Sequence, residues 1–400
     1  MISHNQAKAI VRGQITALAA RRVPLAQALG CVLAQDITSP VDLPPFDQAA
    51  MDGYAFRYED AGKELRVVDI VPAGSAERLV LEQGQAARIF TGAPIPENAD
   101  TVIMQEYTRE LEGQLQLADP NLVQGGNVRF KGSEVRRGER LLPGGTVLNP
   151  AAIGFLASAG MAEVTVFPMP KVAMLVTGDE LQPPGKPLIA GQVYEANSYA
   201  LQAALQQLGI RELEVRHVAD HPEQLVSRLS EALEKADLVL LTGGISVGER
   251  DYVKRAIERC GVTEGFYKVR QKPGKPLYFG MKGHRPVFGL PGNPASVLVC
   301  FYQYVVLALE QLTRRRMLPE PVWATVTGEG KKRPGLTYFL KGRYMPREGA
   351  AQVLMAQESF RLSSFAGSNC LICLPESAEE YRNGEEIEVQ LLPRWDEKSI

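Results

Sequence analysis

Val172-Ala-Met-Leu-Val-Thr-Gly-Asp-Glu-Leu181 is the stretch that decides the fold of the central part of the chain. From Val172 to Thr177 it is a short, almost wholly apolar run, which is typical of a strand buried on both faces of a parallel sheet. The run is followed by a glycine and two acids. Because ligands of open α/β sheets bind beyond the carboxyl ends of the strands, this stretch predicts a strand with candidate site residues directly after it.

Strand-like and helix-like segments alternate on the C-terminal side of this stretch. Alternation of this kind predicts a mostly parallel sheet with helices on both faces, and therefore a central three-layer α/β domain over residues 171–316. The predicted helices are 198–209, 222–235, 251–260 and 294–313, and the predicted strands are 212–218, 238–241, 266–270, 277–280 and 286–289.

Short strands predominate on both sides of this domain. Residues 46–134 show β-like runs separated by glycine turns, which predicts a β-rich domain. From residue 320 onward the strand-like runs follow one another closely enough for a small β-barrel or sandwich. Residues 4–35 have the apolar spacing of two helical segments. The sequence therefore predicts a multidomain chain of the α/β plus β class.

Composition excludes several partners and locations. With 44 basic and 46 acidic residues the formal net charge is −2, so we expect neither nucleic acid nor an anionic membrane as a partner. The longest apolar run, Val297–Leu309, is too short to span a bilayer and predicts a buried helix. Met1–Gly13 is polar and lacks a secretory signal pattern, and the five cysteines have no disulfide-framework spacing. Both features favour a cytoplasmic location.

Glycines and acids follow the predicted strands of the α/β domain. The turn Thr242-Gly-Gly-Ile-Ser-Val-Gly248 lets backbone amides approach an anion, and the helix after it offers its N-terminus. Asp220 and Asp251 stand where Mg²⁺ bound to a phosphate needs oxygen ligands. The sequence therefore predicts a phosphate and Mg²⁺ site. The alternative is that these glycines only turn the chain and these acids only cap helices.

Gly244-Ile-Ser-Val-Gly248 also matches the nucleophile elbow of serine hydrolases. A catalytic triad in that chain order needs a later histidine, and the histidine that follows, His284, lies in a predicted hairpin turn. A hydrolase is therefore an alternative rather than the main hypothesis.

The segment Lys268-Val-Arg-Gln-Lys-Pro-Gly-Lys-Pro276 is strongly basic. If it is a strand, Lys268, Arg270 and Lys272 point to one face, and Lys275 follows across a Pro-Gly turn. Beside the glycine turn and the acids, this cluster predicts a site for a multiply charged anion. The alternative is a solvated edge strand.

Three further motifs place polar groups at turns. Phe288-Gly-Leu-Pro-Gly-Asn-Pro294 opens a helix, with Asn293 as its predicted N-cap and free amides for an anion. Phe46-Asp-Gln-Ala-Ala-Met-Asp-Gly-Tyr-Ala55 places Asp52 in an apolar-flanked loop, and Phe90-Thr-Gly-Ala-Pro94 ends a strand in Thr-Gly. Each has a purely structural alternative, namely turn or cap chemistry.

Taken together, these strings resemble one family, the molybdopterin molybdenumtransferases, which include bacterial MoeA and the E domain of gephyrin. The resemblance runs in the family's order over nearly the whole chain, from about residue 4 to 392. The matching strings are Ala50-Met-Asp-Gly-Tyr-Ala55, Arg88-Ile-Phe-Thr-Gly92, Val176-Thr-Gly-Asp-Glu-Leu181, Gly243-Gly-Ile-Ser-Val-Gly248 with Asp251-Tyr252, Lys272-Pro-Gly-Lys-Pro276 and Gly289-Leu-Pro-Gly-Asn-Pro294.

The resemblance implies four domains and a reaction. Domain I is discontinuous and combines 1–45 with 135–170; the β-rich domain II, 46–134, is inserted in it. Domain III is the adenylyltransferase-like α/β domain, 171–316, and domain IV is the C-terminal barrel, 320–400. The implied enzyme is a homodimer whose active site joins domain III of one subunit to domain II of the other. It inserts molybdate into adenylylated molybdopterin, with Mg²⁺ as cofactor, and releases molybdenum cofactor and AMP.

The resemblance also implies roles for single residues, in three groups. The nucleotide-phosphate and Mg²⁺ part of the site is implied to contain Gly243, Gly244, Ser246, Asp220 and Asp251. Molybdate or the pterin phosphate is implied to be held by Lys272, Lys275, Pro276 and Ser296. Further functional positions are Asp52, Thr91 and Glu180.

Three positions depart from the family pattern. Glu134 stands where the family commonly has Asp, which lengthens the reach of the carboxylate. Lys341 stands where an Arg is expected, which removes a bidentate contact with an oxyanion. Ser359 matches a Gly-Ser pair whose Gly is missing.

Two other functions compete with molybdate insertion. The α/β domain also resembles molybdopterin adenylyltransferase, the expected upstream partner, but that single-domain family needs neither Ala50–Ala55 nor a C-terminal β domain. A non-catalytic pterin-binding scaffold, as gephyrin also is, would not need Asp52, Asp251, Lys272 and Lys275 together. The sequence therefore favours insertion.

Overall fold

The computed structural model describes residues 1–76, 78–243 and 252–393 of the 400-residue chain. The chain forms two compact units. Unit 1 comprises Met1–Arg21, Gly30–Val32 and Val166–Ile400, and unit 2 comprises Arg22–Leu29 and Leu33–Thr165.

The helices and strands are numbered here in chain order. The helices are α1 (His4–Gln14), α2 (Pro150–Ser158), α3 (Asn197–Gln207), α4 (Pro222–Lys235), α5 (Tyr252–Arg259), α6 (Pro294–Cys300), α7 (Val306–Thr313) and α8 (Ser363–Ala366), with a π-helical turn at Phe301–Val305. The strands are β1 (Arg21–Pro24), β2 (Val32–Leu33), β3 (Ile37–Thr38), β4 (Gln48–Ala49), β5 (Gly53–Phe56), β6 (Leu65–Val71), β7 (Gln85–Ile89), β8 (Thr101–Met104), β9 (Thr108–Leu111), β10 (Gln114–Leu117), β11 (Val128–Arg129), β12 (Arg140–Leu142), β13 (Glu163–Phe167), β14 (Val172–Thr177), β15 (Leu181–Gln182), β16 (Val193–Tyr194), β17 (Leu213–Val218), β18 (Leu238–Thr242), β19 (Thr263–Tyr267), β20 (Gln271–Lys272), β21 (Tyr278–Lys282), β22 (Arg285–Leu290), β23 (Val322–Thr327), β24 (Gly330–Lys331), β25 (Thr337–Met345), β26 (Ala350–Val353), β27 (Cys370–Leu374), β28 (Glu380–Tyr381) and β29 (Glu386–Leu391).

The central sheet of unit 1 has six strands in the order β17-β14-β18-β22-β21-β19. The first four run parallel, and β21 and β19 are antiparallel additions at one edge. Every residue of β14 is buried, as its apolar run predicted. Successive side chains of a strand point to opposite faces, so this sheet needs cover on both sides.

Helices supply that cover in two separate cores. Val172, Met174 and Leu240 pack with residues of α1, α3, α6 and α7 on one face of the sheet. Ala173 and Leu241 pack with residues of α4 and α5 on the other face. The predicted three-layer α/β architecture is confirmed.

The N-terminal helix packs into the core of the α/β domain. Ala7, Val11 and Ile15 of α1 are buried in the same core as Val172 and Met174. Met1–Arg21 therefore lies in unit 1, because the apolar face of α1 is buried by residues of the α/β domain that are distant in sequence. The four-domain division implied by the resemblance stays a prediction.

The second predicted helix of residues 4–35 is wrong. Leu25–Gln27 is a single 3-10 turn, and Val32–Leu33 is a short strand. Gly30 adopts a φ of 79°, which interrupts any helix at that point, and Leu29 is 47% exposed. The apolar spacing of this segment therefore does not reflect one buried helical face.

The long helix Pro294–Thr313 runs through the core of unit 1. Within the described part of the chain it is the one helix long and apolar enough to cross a membrane, and 78% of its most apolar stretch is buried in the protein. Val297, Phe301 and Leu309 have no exposed surface. The predicted buried helix is confirmed.

A closed five-strand barrel follows in the same unit. Its strands pair in the ring β25-β26-β23-β29-β27, and β27 pairs again with β25. Strand β20, Gln271–Lys272, adds to this barrel by pairing in parallel with Thr337–Tyr338 of β25. The barrel is thus hydrogen-bonded to the basic segment.

Unit 2 contains the β-rich part of the chain. Its main sheet has six strands in the order β8-β5-β7-β6-β10-β9. Strand β5 lies between β7 and β8, and Gly53 is required there because a Cβ atom would lie 1.8 Å from the carbonyl oxygen of Ile103. This strand begins directly after Asp52.

Candidate functional site

Five of the predicted site residues line one cavity of about 600 Å³ in unit 1. Lys272, Lys275, Pro276, Ser296 and Ser359 come from a loop, a helix start and a barrel loop that are far apart in the sequence. The cavity is also lined by Lys268, Gln271, Pro273, Gly274, Pro291, Gly292, Asn293 and Gln357. Its ionisable lining groups are three lysines, so it is suited to an anion.

The basic segment is a loop apart from the two-residue strand β20, which corrects the predicted strand 266–270. Strand β19 ends at Tyr267, and Lys268 adopts a φ of 68°, so the three cations do not share one strand face. Arg270 pairs with Glu376 at 3.2 Å. The ammonium of Lys272 lies 5.2 Å from the centre of the Tyr338 ring.

The helix start at Pro294 is supported by Ser359. Asn293 occupies the predicted N-cap position, but its side chain makes no cap hydrogen bond. Instead its Nδ2 donates to Ser359 Oγ at 2.9 Å, and the Ala295 amide donates to the Ser359 carbonyl at 3.0 Å. Ser296, on the first turn, is 3% exposed and borders the cavity.

Lys341 lies behind the cavity with its ammonium fully engaged. Its Nζ donates to the carbonyl oxygens of Ala356, Glu358 and Arg361 at 2.8, 3.3 and 3.1 Å. The residue is 2% exposed, and burial lowers its pKa. An ammonium has three protons, so none is left for the predicted contact with a cofactor. In this arrangement Lys341 supports the loop that carries Ser359.

Gly243 directly follows β18, at a point where a side chain has no room. Its φ is 82°, and a Cβ atom would lie 2.1 Å from the Thr177 carbonyl oxygen at the end of the neighbouring strand. The Gly-Gly pair predicted an approach of backbone amides to an anion; at Gly243 the structure shows a close approach of two strand ends. Gly244, Ser246 and Asp251 lie outside the described residues.

Three acids gather at the ends of β14 and β17. The Asp220 amide donates to Asp179 Oδ1 at 3.1 Å. The pKa of Asp220 is raised, first by desolvation and then by the charges of Asp179 and Glu180. Asp179 is one of the two acids that follow the strand Val172–Thr177, but the resemblance implied a role only for its neighbour Glu180. Repulsion within such a group favours binding of a cation.

A complete Mg²⁺ site does not follow from these acids. Among residues 1–76, 78–243 and 252–393, no group of three or more His, Cys, Asp or Glu residues could hold a metal ion. The second predicted ligand, Asp251, lies outside the described residues. Mg²⁺ therefore stays a prediction.

Unit 2 brings together two predicted residues 39 positions apart. Asp52 Oδ1 accepts hydrogen bonds from the amide and the hydroxyl of Thr91. These bonds, and the charge of Arg88, hold the pKa of Asp52 below its usual range. Arg88 lies over the rings of Tyr54 and Phe90 at 5.0 and 5.5 Å. The sequence assigned no role to Arg88, although it is the first residue of the family-like string Arg88-Ile-Phe-Thr-Gly92.

The two remaining predicted acids are exposed. Glu134 follows a turn of unit 2, where its amide donates to the Leu43 carbonyl oxygen at 2.9 Å. Glu180 is exposed beside Asp179 in unit 1. The structure leaves both carboxylates accessible to a ligand.

The fold and the site define a class: a multidomain α/β and β-barrel protein with a lysine-lined cavity. Three family models match it in order. They are the MoeA N-terminal region (domain I and II) at residues 2–160, a probable molybdopterin binding domain at 173–311, and the MoeA C-terminal region (domain IV) at 324–392. The chain belongs to the molybdopterin molybdenumtransferases, a family of transferases of molybdenum cofactor biosynthesis.

Individual relatives are similar to this chain over nearly its whole length. A molybdopterin molybdenumtransferase of Nostoc is 36% identical over 93% of this chain and 88% of its own. One from Haemophilus influenzae is 36% identical over 92% of both chains. The crystal structure of a Pyrococcus molybdopterin biosynthesis MoeA protein has a TM-score of 0.79 and 32% identity, covering 99% of this chain and 100% of its own.

Proposed function

We propose that this protein inserts molybdate into adenylylated molybdopterin and releases AMP and molybdenum cofactor. One observation carries the proposal: Lys272, Lys275 and Ser296 line a single cavity in a chain whose relatives are named molybdenumtransferases. Molybdate is a dianion, so a site must replace its hydration with fixed donors. Exposed ammonium groups beside a buried serine are donors of that kind.

The cavity residues have separable tasks in this proposal. Lys272 and Lys275 supply positive charge, and both are exposed on the loop. Ser296 supplies a hydroxyl at the start of α6, where helix amides favour an anion. The Ser359 loop fixes that helix start through Asn293 and Ala295. Gly243 gives the phosphates of the adenylate close access to backbone at the strand end.

Mg²⁺ is the proposed cofactor of adenylate cleavage. Asp220, with its raised pKa and two acidic neighbours, is the described residue best suited to it. When bound, Mg²⁺ would neutralise charge on the phosphates. Asp179 and Glu180 would orient Asp220 and share the positive charge.

A homodimer in the cytoplasm is the proposed working form. Met51 and Phe90 flank the Asp52–Thr91 pair in the sequence and are 40% and 37% exposed, which supports a partner surface beside Asp52. We propose that this surface faces the α/β domain of a second copy. All five cysteines are free thiols, which suits a reducing compartment. The proposed upstream partner is the adenylyltransferase that makes the substrate.

The deciding experiment follows AMP release from adenylylated molybdopterin by the purified protein, with and without molybdate. Insertion predicts release that depends on molybdate and saturates with it. Release at the same rate without molybdate contradicts insertion chemistry. Formation of the adenylate from ATP and molybdopterin would instead identify an adenylyltransferase, and tight pterin binding without turnover would identify a scaffold.

A further inference from the structure

A buried chain of hydrogen bonds connects the N-terminal helix to the cavity loop. His4 Nδ1 lies 2.7 Å from Tyr304 Oη. The Tyr304 hydroxyl donates to Gln271 Oε1. Gln271 Nε2 then donates to the carbonyl oxygens of Pro273 and Gly274, both at 3.1 Å. These two carbonyls lie between Lys272 and Lys275 in the sequence.

The three side chains of this chain, His4, Tyr304 and Gln271, are here called the relay. Their exposed fractions are 7%, 0% and 1%. Buried polar groups cost free energy unless they are paired, and each of these groups has a partner. The His4 ring also packs edge-on against Phe339 of the barrel, with centroids 4.9 Å apart. A relay held from three elements has little freedom to rearrange.

The hydrogen bonds of the relay have one direction. Gln271 Nε2 must face the two carbonyls, because carbonyl oxygens only accept; its Oε1 therefore faces Tyr304. The single hydroxyl proton of Tyr304 goes to that oxygen, so His4 must donate from Nδ1. Burial, and then the charges of Lys8 and Arg12, lower the pKa of His4 to about 3, so the ring is neutral at pH 7. Each donor thus points toward the loop.

The Lys272–Lys275 loop packs closely against the buried residues Cys300 and Gln271. Gly274 has a φ of 84°, and a Cβ atom there would lie 2.5 Å from Cys300 Sγ and 2.9 Å from Gln271 Nε2. The Val269 amide donates to the Lys275 carbonyl at 3.0 Å. The N-terminal segment supports the same loop directly, because the Arg270 amide donates to the Ile2 carbonyl at 2.8 Å.

We propose that His4, Tyr304 and Gln271 are positioning residues, which hold the Lys272–Lys275 loop in the conformation that binds the anionic substrate. Tying the Pro273 and Gly274 carbonyls to a buried amide keeps the negative ends of these peptide dipoles from turning into the cavity. The two ammonium groups are then presented without competing carbonyls. The inference rests on the proposed function, since it takes this loop as the anion-binding element.

Tyr304→Phe is the central test, because it removes one hydroxyl and keeps the ring. Tyr302→Phe is its matched control: the same change, two residues away, on a half-buried tyrosine outside the relay. We measure the molybdate concentration that half-saturates AMP release, the maximal rate, and amide hydrogen exchange of 272–277 without substrate. We expect Tyr304→Phe to raise half-saturation roughly three- to tenfold, with little change in maximal rate and faster exchange in the loop.

A second pair of variants covers the case in which Tyr304→Phe folds poorly. His4→Asn keeps a side-chain N–H donor and is expected to retain near-normal half-saturation, whereas His4→Phe loses the donor and is expected to behave like Tyr304→Phe. Nitrogen NMR of wild-type His4 is expected to show the proton on Nδ1. A proton on Nε2 alone would overturn the direction of the relay.

The outcomes separate the inference from the proposed function. Equal half-saturation and equal loop exchange in Tyr304→Phe and Tyr302→Phe overturn the inference. Faster exchange without a change in half-saturation also overturns it, since the loop then does not need the relay to bind the anion. If wild-type protein releases no AMP with molybdate, the proposed function fails. The exchange comparison alone then decides whether the relay positions the loop.

Discussion

Thr91 gives both of its hydrogen-bond donors to one oxygen of Asp52, with its amide nitrogen at 2.8 Å and its hydroxyl at 2.7 Å from Asp52 Oδ1. The two donors stabilise the carboxylate, which lowers the pKa of Asp52. They also fix one oxygen and leave the other free, although the side chain is exposed. A surface carboxylate fixed in this way is prepared for a ligand or a partner.

The first prediction concerns this pair. Thr91→Val removes the hydroxyl donor, so the pKa of Asp52 should rise toward its ordinary value and its orientation should loosen. We expect AMP release to fall roughly three- to tenfold, a loss of about 0.7–1.4 kcal/mol, because Asp52 is exposed and keeps the hydrogen bond from the Thr91 amide. Thr91→Ser keeps the donor and serves as control. A rate for Thr91→Val equal to that of Thr91→Ser would show that the hydroxyl has no part in the reaction.

The second prediction concerns assembly. If a second copy supplies Asp52, mixing Asp52→Ala with Lys275→Ala subunits should restore part of the activity, because a mixed dimer holds one site with both residues intact. Mixing Lys272→Ala with Lys275→Ala is the control, since no site then has an intact loop. Activity is measured after subunit exchange has been demonstrated. Failure of the first mixture to recover would place Asp52 and Lys275 of a working site in the same chain.

The third prediction concerns the two cavity lysines. Lys272→Ala or Lys275→Ala should each remove a charge-assisted hydrogen bond, worth about 1.5–3 kcal/mol, and raise half-saturating molybdate by about one to two powers of ten. Melting temperatures should hardly change, because both side chains are exposed. Lys282→Ala is the control, an exposed lysine at the end of β21. Half-saturation equal to that of Lys282→Ala would locate the molybdate site elsewhere.

The fourth prediction concerns Asp220 and Mg²⁺. The pKa of Asp220 is raised in the folded state, so ionisation of this carboxyl opposes folding. The free energy of unfolding therefore falls as the pH rises from the pKa of Asp220 in the unfolded chain through its higher pKa in the folded protein. At pH 7 without metal, Asp220→Asn should therefore melt at the same temperature as wild type or slightly higher. Added Mg²⁺ should raise the melting temperature of wild type more than that of the variant. Equal increases would remove Asp220 from the metal site.

The fifth prediction concerns two reasons for a glycine, namely the close approach of another strand and a positive φ. Gly243 and Gly283 both have positive φ, 82° and 59°, but only at Gly243 would a Cβ atom meet another strand end, at 2.1 Å from the Thr177 carbonyl. Gly283→Ala should destabilise the protein by about 1 kcal/mol, as for other left-handed positions. Gly243→Ala should lower the free energy of unfolding clearly more than Gly283→Ala does, and it should weaken binding of the adenylate. Equal losses of unfolding free energy, measured by chemical denaturation, would show that the strand ends can move apart.

Local patterns determined much of the architecture. The apolar run Val172–Thr177 and the helix Pro222–Lys235 lie where the sequence predicts them, because a buried strand and an amphipathic helix are recorded in the spacing of nearby residues. The sequence also predicted the short strands of the C-terminal barrel, from strand-like runs that follow one another closely. Motifs in a fixed order also sufficed to indicate the family, since each string carries its own chemistry.

Only the tertiary structure decided which of those residues meet. Lys341 and Lys275 are the same residue type, yet one gives all its protons to three carbonyls and the other is exposed beside a cavity. His4 and Tyr304 are 300 residues apart and share a hydrogen bond. Periodicity records which side of a segment is apolar but not which distant segment covers it. The sequence therefore did not show that α1 packs on the α/β core, or that the chain leaves the strand after Tyr267. The conformation of the Lys272–Lys275 loop depends on burial and on hydrogen bonds between distant residues, and these form only when the chain folds.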